Sequence, residues 1–277
     1  KRYLNLEDWA GLMKKFSNLM PYEFEYYSST ANKGWAEVAE LMAKDFHPIW
    51  WKEQQFENNR KEFKDRISSK QSPLKVEIAK YLNSIEYTYG LNEEIAKEII
   101  ALKKINEKNS IDGIITTNWD NLAEEMFDFT SFVGQEKLLF SNVLNVGEIF
   151  KIHGCISDPN SMIFDENDYV SFNKRNHYLA SKLTTIFIEH PIIFIGYSLR
   201  DDNIREILNA IIFGIGEENL RTFGKRIFFL EYNFDNEDFI YTTMPVDLPD
   251  GRLDITYIKT NNFVEVYEAL AENERKF

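Results

Sequence analysis

The sequence predicts an α/β fold: a doubly wound parallel sheet with an inserted helical module and no zinc ribbon. Three observations carry this. From Gly113 onward, short β-branched apolar runs alternate with stretches of helical spacing, the pattern of strand–helix–strand units. Residues 35–108 carry helical periodicity only. Cys155 is the one cysteine, so a four-cysteine metal ribbon cannot be built.

Taken in order, Leu6, Trp9, Ala10, Met13, Phe16 and Met20 mark an amphipathic helix closed by Pro21. Tyr22 to Gly34 reads as a loop. A second helix is expected from Trp35 to Phe46, ended by Pro48, and a charged helical stretch from Trp50 to Arg66. The pair Trp50-Trp51 suits either the core or a subunit contact. Leu74 to Ile85 and Leu91 to Leu102 give two more helices. Then Ile111-Asp-Gly-Ile-Ile-Thr116 reads as a strand, with a helix starting near Trp119.

Glu148 to Ile152 and Met162 to Phe164 read as short strands. Asp165 is placed to cap a helix through Tyr169, and Leu179 to His190 is a further helix. Pro191 to Gly196 is a continuous apolar run, the mark of a strand buried on both faces. It leads into a helix from Asp202 to Phe213. Strands at Arg226–Leu230 and Leu253–Ile258 and a helix at Phe263–Leu270 complete the chain.

The 277 residues carry 22 Phe and a net charge of −13 with no Lys/Arg-rich run, which argues against direct nucleic-acid binding. No apolar run approaches the roughly 20 residues of a membrane span. A single cysteine fits a reducing cytoplasm. The chain begins without Met, and a longer N-terminus is expected.

Three polar clusters stand at expected strand ends: Thr116-Thr117-Asn118-Trp119-Asp120, Lys151-Ile152-His153-Gly154, and Gly196-Tyr197-Ser198 with Asp202 and Asn203. Taken singly, they read as helix caps. Thr117 with Asp120, and Ser198 with Asp201, have the spacing of variant capping boxes. Taken together, they converge on the crevice beyond the carboxyl ends of a parallel sheet, where ligands bind. A glycine there admits a ligand to the backbone, helix-start N–H groups suit a phosphate, and a carboxamide with an imidazole can orient and activate water. His47, His177 and His190 are read as structural or surface residues, and Cys155 as a small apolar one.

The order TTN-x-D, K-x-HG, then an apolar strand ending G-Y-S-L-R-D-x-N resembles the sirtuin-like domain of bacterial anti-phage defence proteins, over most of residues 110–260. The resemblance implies a Rossmann-like NAD-binding core, here residues 1–34 and 109–277, around a helical module at 35–108. It implies NAD as substrate, cleaved to nicotinamide and ADP-ribose, with no metal and with abortive infection as the outcome. Asn118 and His153 would be catalytic. Gly196 and Ser198 would contact the nucleotide with Asp202 and Asn203 beside them, and Thr116, Thr117 and Asp120 match surrounding positions. Expected partners are a second copy in a homo-oligomer and a sensor domain or subunit: a repeat array, an Argonaute-related module or a motor ATPase.

Two departures stand out. The family's glycine-rich Gly-Ala-Gly-x-Ser loop does not occur here and is expected upstream of Lys1, and Trp119 replaces the commoner Tyr or Phe. The alternatives are a non-catalytic NAD or ADP-ribose sensor and, disfavoured by the missing zinc ribbon, a protein deacylase. A third is an assembly domain whose contacts are the aromatic helices around Trp35 and Trp50-Trp51.

Overall fold

The computed structural model describes residues 3–4, 6–85, 92–108, 110–140, 147–174, 176–197, 202–234 and 239–272. The chain divides into two compact units, residues 1–175 with 268–277, and residues 176–267. The fold class is the expected α/β one, with helices and parallel strands in both units and one antiparallel strand in the second.

In the first unit, helices α1 (Trp9–Ser17), α2 (Phe24–Thr30), α3 (Trp35–Lys52), α4 (Glu57–Phe63), α5 (Ser72–Asn83) and α6 (Glu93–Glu107) precede strand β1 (Gly113–Thr116). Helix α7 (Leu122–Met126), strand β2 (Thr130–Val133), helix α8 (Gln135–Phe140), strand β3 (Glu148–Lys151) and helix α9 (Glu166–Lys174) follow. The sheet order is β1-β3-β2, all parallel. Every residue of the central strand β3 is buried.

The core joins Met13 and Phe16 of α1, Tyr27 of α2, Met42, Phe46 and Trp50 of α3, Leu74 and Ile78 of α5, and Met162 and Phe164 before α9. It explains two departures from the expected elements. The stretch 22–34 contains a helix, α2, because Tyr27 is fully buried there and its hydroxyl donates to Asp45 at 2.9 Å. Helix α3 does not stop before Pro48 but runs through it. An interior proline costs a helix about 3 kcal/mol. Burying Phe46 and Trp50, at about 1.5–3 kcal/mol for each large apolar side chain, offsets that cost, and the Trp50 indole donates to Glu77 at 2.7 Å. Trp50 is thus core, whereas Trp51 and Trp35 are exposed.

Met162 to Phe164 is not a strand. It is an extended segment after the 3-10 turn Pro159–Ser161, with Ile163 N–H donating to His153 O at 2.9 Å. Leu91 lies outside the described residues, and α6 starts at Glu93 with Asn92 as its cap.

The second unit holds α10 (Asn176–Glu189), β4 (Ile192–Ile195), α11 (Asp202–Ile215), α12 (Glu217–Gly224), β5 (Ile227–Tyr232), β6 (Ile240–Leu248) and β7 (Gly251–Thr260), followed by α13 (Phe263–Ala271). The sheet order is β4-β5-β7-β6, with β6 antiparallel. Of β4 only Phe194 is buried, stacked on Phe229 at 4.4 Å, so the expectation of burial on both faces fails. The reason lies in the pairing: β4 is an end strand of its sheet.

Candidate functional site

Strands β1 and β3 pair with Thr116 opposite Lys151. Asn118 and His153 each lie two residues beyond that pair in sequence, in the loops that follow the two neighbouring strands. Adjacent strands lie about 4.8 Å apart.

Each loop is held by its own residues. Thr116 Oγ1 accepts from Asn118 N–H at 3.0 Å, which turns the chain as β1 ends and leaves Asn118 exposed. Asp120 Oδ1 accepts from Leu122 N–H at 3.0 Å. The helix therefore starts at Leu122 rather than near Trp119, and the Asp120 carboxylate serves its first turn. Thr117 is half-buried beside them.

Trp119 links the two strand ends. Its indole N–H donates to His153 O at 3.1 Å, and its ring meets Trp9 edge-on at 5.3 Å. A Phe at this position lacks that donor. The half-buried His153 ring stands edge-on to Phe172 at 4.9 Å and to Tyr169 at 6.0 Å, both on α9.

Beneath the loops lies Lys151, whose side chain is fully buried. Its ammonium pairs with Glu124 Oε1 at 3.1 Å and donates to Asp120 O, while Ser131 donates to Glu124 at 3.0 Å. This ties the loop after β1 to β2 and β3. The Lys of K-x-HG is the signal that could have found it. Removing one partner of a buried pair strands the other. Lys151→Met is therefore expected to cost on the order of 3 kcal/mol in urea unfolding, part of it recovered in Lys151→Met/Glu124→Leu. A loss no greater than that of an exposed lysine would refute the pairing.

Helix α9, which carries Tyr169 and Phe172, starts in a reciprocal cap. Asp168 N–H donates to Asp165 Oδ1 at 2.9 Å, and Asp165 N–H donates to Asp168 Oδ2 at 3.2 Å. Buried Lys75 of α5 pairs with Asp168 at 2.6 Å. Burial, with the Asp168 carboxylate adding to it, holds the Asp165 carboxyl above the usual aspartate range. The folded chain thus binds this proton more tightly than the unfolded one. Its contribution to stability is complete below the ordinary aspartate pKa and is lost as pH rises through the raised value. Asp165→Asn keeps the acceptor without the charge. Melts across mildly acidic to neutral pH should show a flatter profile and a gain at pH 7, and an unchanged slope would exclude Asp165 as the group responsible.

Cys155 is buried and donates to Asn121 Oδ1 at 3.3 Å. His47 Nε2 accepts from the Trp51 indole at 3.2 Å. The side chain of His177 lies outside the described residues. Among the described residues, no group of three His, Cys, Asp or Glu is placed to hold a metal, and no helix is long and apolar enough to cross a membrane.

In the second unit, Gly196 follows β4 with φ 78°, and no heavy atom beyond its chain neighbours lies within 4 Å of where a Cβ would stand. Ser198 and Asp201 lie outside the described residues. Asp202 and Asn203 open α11, and their side chains also lie outside the description.

The parallel strands and flanking helices agree with a family match. Residues 112–240 match the model of the SIR2-like domain, and over that stretch the chain is sirtuin-like. Among individual proteins it is similar to Defense-associated sirtuin 2 of Bacillus subtilis, 29% identical over 105 residues, which are 35% of this chain and 10% of that protein. It is also similar to the NAD(+) hydrolase ThsA of Cytobacillus dafuensis, 23% identical over 215 residues, covering 71% of this chain and 43% of the relative. The ThsA of Enterococcus faecium is 23% identical over 178 residues, 58% of this chain and 37% of the relative. The chain thus spans less than half the length of each of these relatives.

Proposed function

We propose that this chain is the NAD-cleaving domain of an anti-phage defence protein, releasing nicotinamide and ADP-ribose. The observation that carries the reading is that Asn118 and His153 each follow by two residues the paired strand ends Thr116 and Lys151, within the stretch matched by the SIR2-like model. The names of the relatives, NAD(+) hydrolase and defence-associated sirtuin, support the same substrate and setting.

The reacting bond joins the ribose to a cationic nicotinamide, a leaving group that needs little acid assistance. The barrier lies in the oxocarbenium-like ribose that develops as the bond breaks, so catalysis consists of orienting the sugar and its attacker. The Asn118 carboxamide both donates and accepts, which suits it to hold a water or the ribose hydroxyls. His153 acts as general base toward that water or a ribose hydroxyl. In the second unit, Gly196 has the left-handed conformation, φ 78°, that opens its backbone to a ligand, and the family resemblance implies nucleotide contacts at Gly196, Ser198, Asp202 and Asn203.

On this reading the domain is the effector of abortive infection. It works in the cytoplasm within a homo-oligomer and is released by a sensor region or partner subunit. The test is nicotinamide release by the full-length protein in infected cells or with its trigger. NAD bound at the site but never consumed under those conditions would instead make it a sensor module.

A further inference from the structure

We infer that Gln135 is a ligand-binding residue of this same site, its side-chain oxygen accepting a hydrogen bond from a hydroxyl or amide N–H of the dinucleotide. The inference rests on the NAD reading above.

Lys151 on the central strand β3 faces Thr116 on one side and Val133 of β2 on the other. Two residues beyond each of these three stand Asn118, His153 and Gln135. Gly134 N–H donates to Lys151 O at 3.0 Å, which closes the last pair of β2 with β3. Gln135 thus follows the third strand end by the same number of residues in sequence, as the first residue of α8 after the turn at Gly134.

Its side chain is only 6% exposed. Nε2 donates to Phe172 O at 3.4 Å. A carbonyl can only accept, so this contact decides which end of the amide is which. Oε1 is then buried with no hydrogen-bond partner, the one side-chain polar atom so left among the described residues. Native structures satisfy nearly all such atoms, and an orphan signals a missing donor. Its place is informative, because Phe172 meets the His153 ring at 4.9 Å. One residue is held by Gln135 through its backbone and meets His153 through its ring. A dinucleotide at these strand ends offers donors of the required kind, the ribose hydroxyls and the nicotinamide amide.

The test is calorimetric titration of the full-length protein with NAD and with ADP-ribose, alongside thermal melts. Gln135→Met fills the same space with no acceptor. It should melt close to wild type, since removing the orphan offsets the lost Nε2 bond to Phe172 O, yet bind NAD about ten-fold more weakly. A matching loss for ADP-ribose places the donor on a ribose hydroxyl, and a loss for NAD alone places it on the nicotinamide amide. Gln135→Asn, which keeps the amide but draws it back by one methylene, is the second variant and should also lose affinity. Wild-type affinity for both nucleotides in whichever variant folds overturns the inference and leaves the atom a structural orphan or the partner of a water only. Wild-type protein that binds neither nucleotide overturns the NAD reading itself.

Discussion

Replacing His153 or Asn118 with alanine is expected to abolish nicotinamide release by the full-length, triggered protein, lowering the rate by about 10²–10⁴-fold, the usual worth of a positioned proton-transfer group. The two substitutions differ in their structural consequences. Asn118 is exposed, and the hydrogen bond that shapes its loop, from its N–H to Thr116 Oγ1, is made by backbone and survives truncation. Asn118→Ala should therefore melt like wild type. His153 is half-buried against Phe172 and Tyr169, so His153→Ala also loses edge-on ring contacts worth about 0.5–1.5 kcal/mol each. A melt beside each assay separates chemistry from folding. Normal NAD turnover by either variant would remove that residue from the mechanism.

The site was legible where its chemistry coincides with a local pattern. Ile114-Ile115-Thr116 and Ile149-Phe150-Lys151 read as strands and are paired strands, and the candidate residues Asn118 and His153 follow them in sequence. What supports the site was less legible, because it depends on partners far away in the chain. Thr130–Val133 is four residues long and becomes a strand through β3, with Phe132 stacked on Phe150 at 5.4 Å. Gln135 could not be singled out without that strand. Strand β6 was obscured by Pro245, although Pro249-Asp250-Gly251 is a turn signal between it and β7. Helix α2 and the passage of α3 through Pro48 follow from the burial of Tyr27 and Trp50, which a local reading of propensity does not contain.

The same dependence on distant backbone makes Gly154→Ala the most damaging small substitution expected near the site. Gly154 has φ 89°, and an added Cβ would stand 2.1 Å from Ser161 O and 2.6 Å from Met162 N. Neither atom is the end of a flexible side chain. The chain folds back tightly here: Cys155 N–H donates to Ser161 Oγ at 3.0 Å, and Ile163 N–H and the Trp119 indole both donate to His153 O. Pushing Ser161 and Met162 away pulls on that clamp and moves His153. The strained backbone costs about 1–3 kcal/mol and the overpacking about 1–3 more, with loss of NAD turnover in parallel. Gly34 provides the control. It has φ 86° at the start of α3, but nothing lies within 4 Å of its missing Cβ. Gly34→Ala therefore bears the backbone cost alone and keeps the site intact. Equal destabilisation in the two variants, with turnover preserved in both, would show that the close approach of Gly154 to Ser161 does not hold His153 in place.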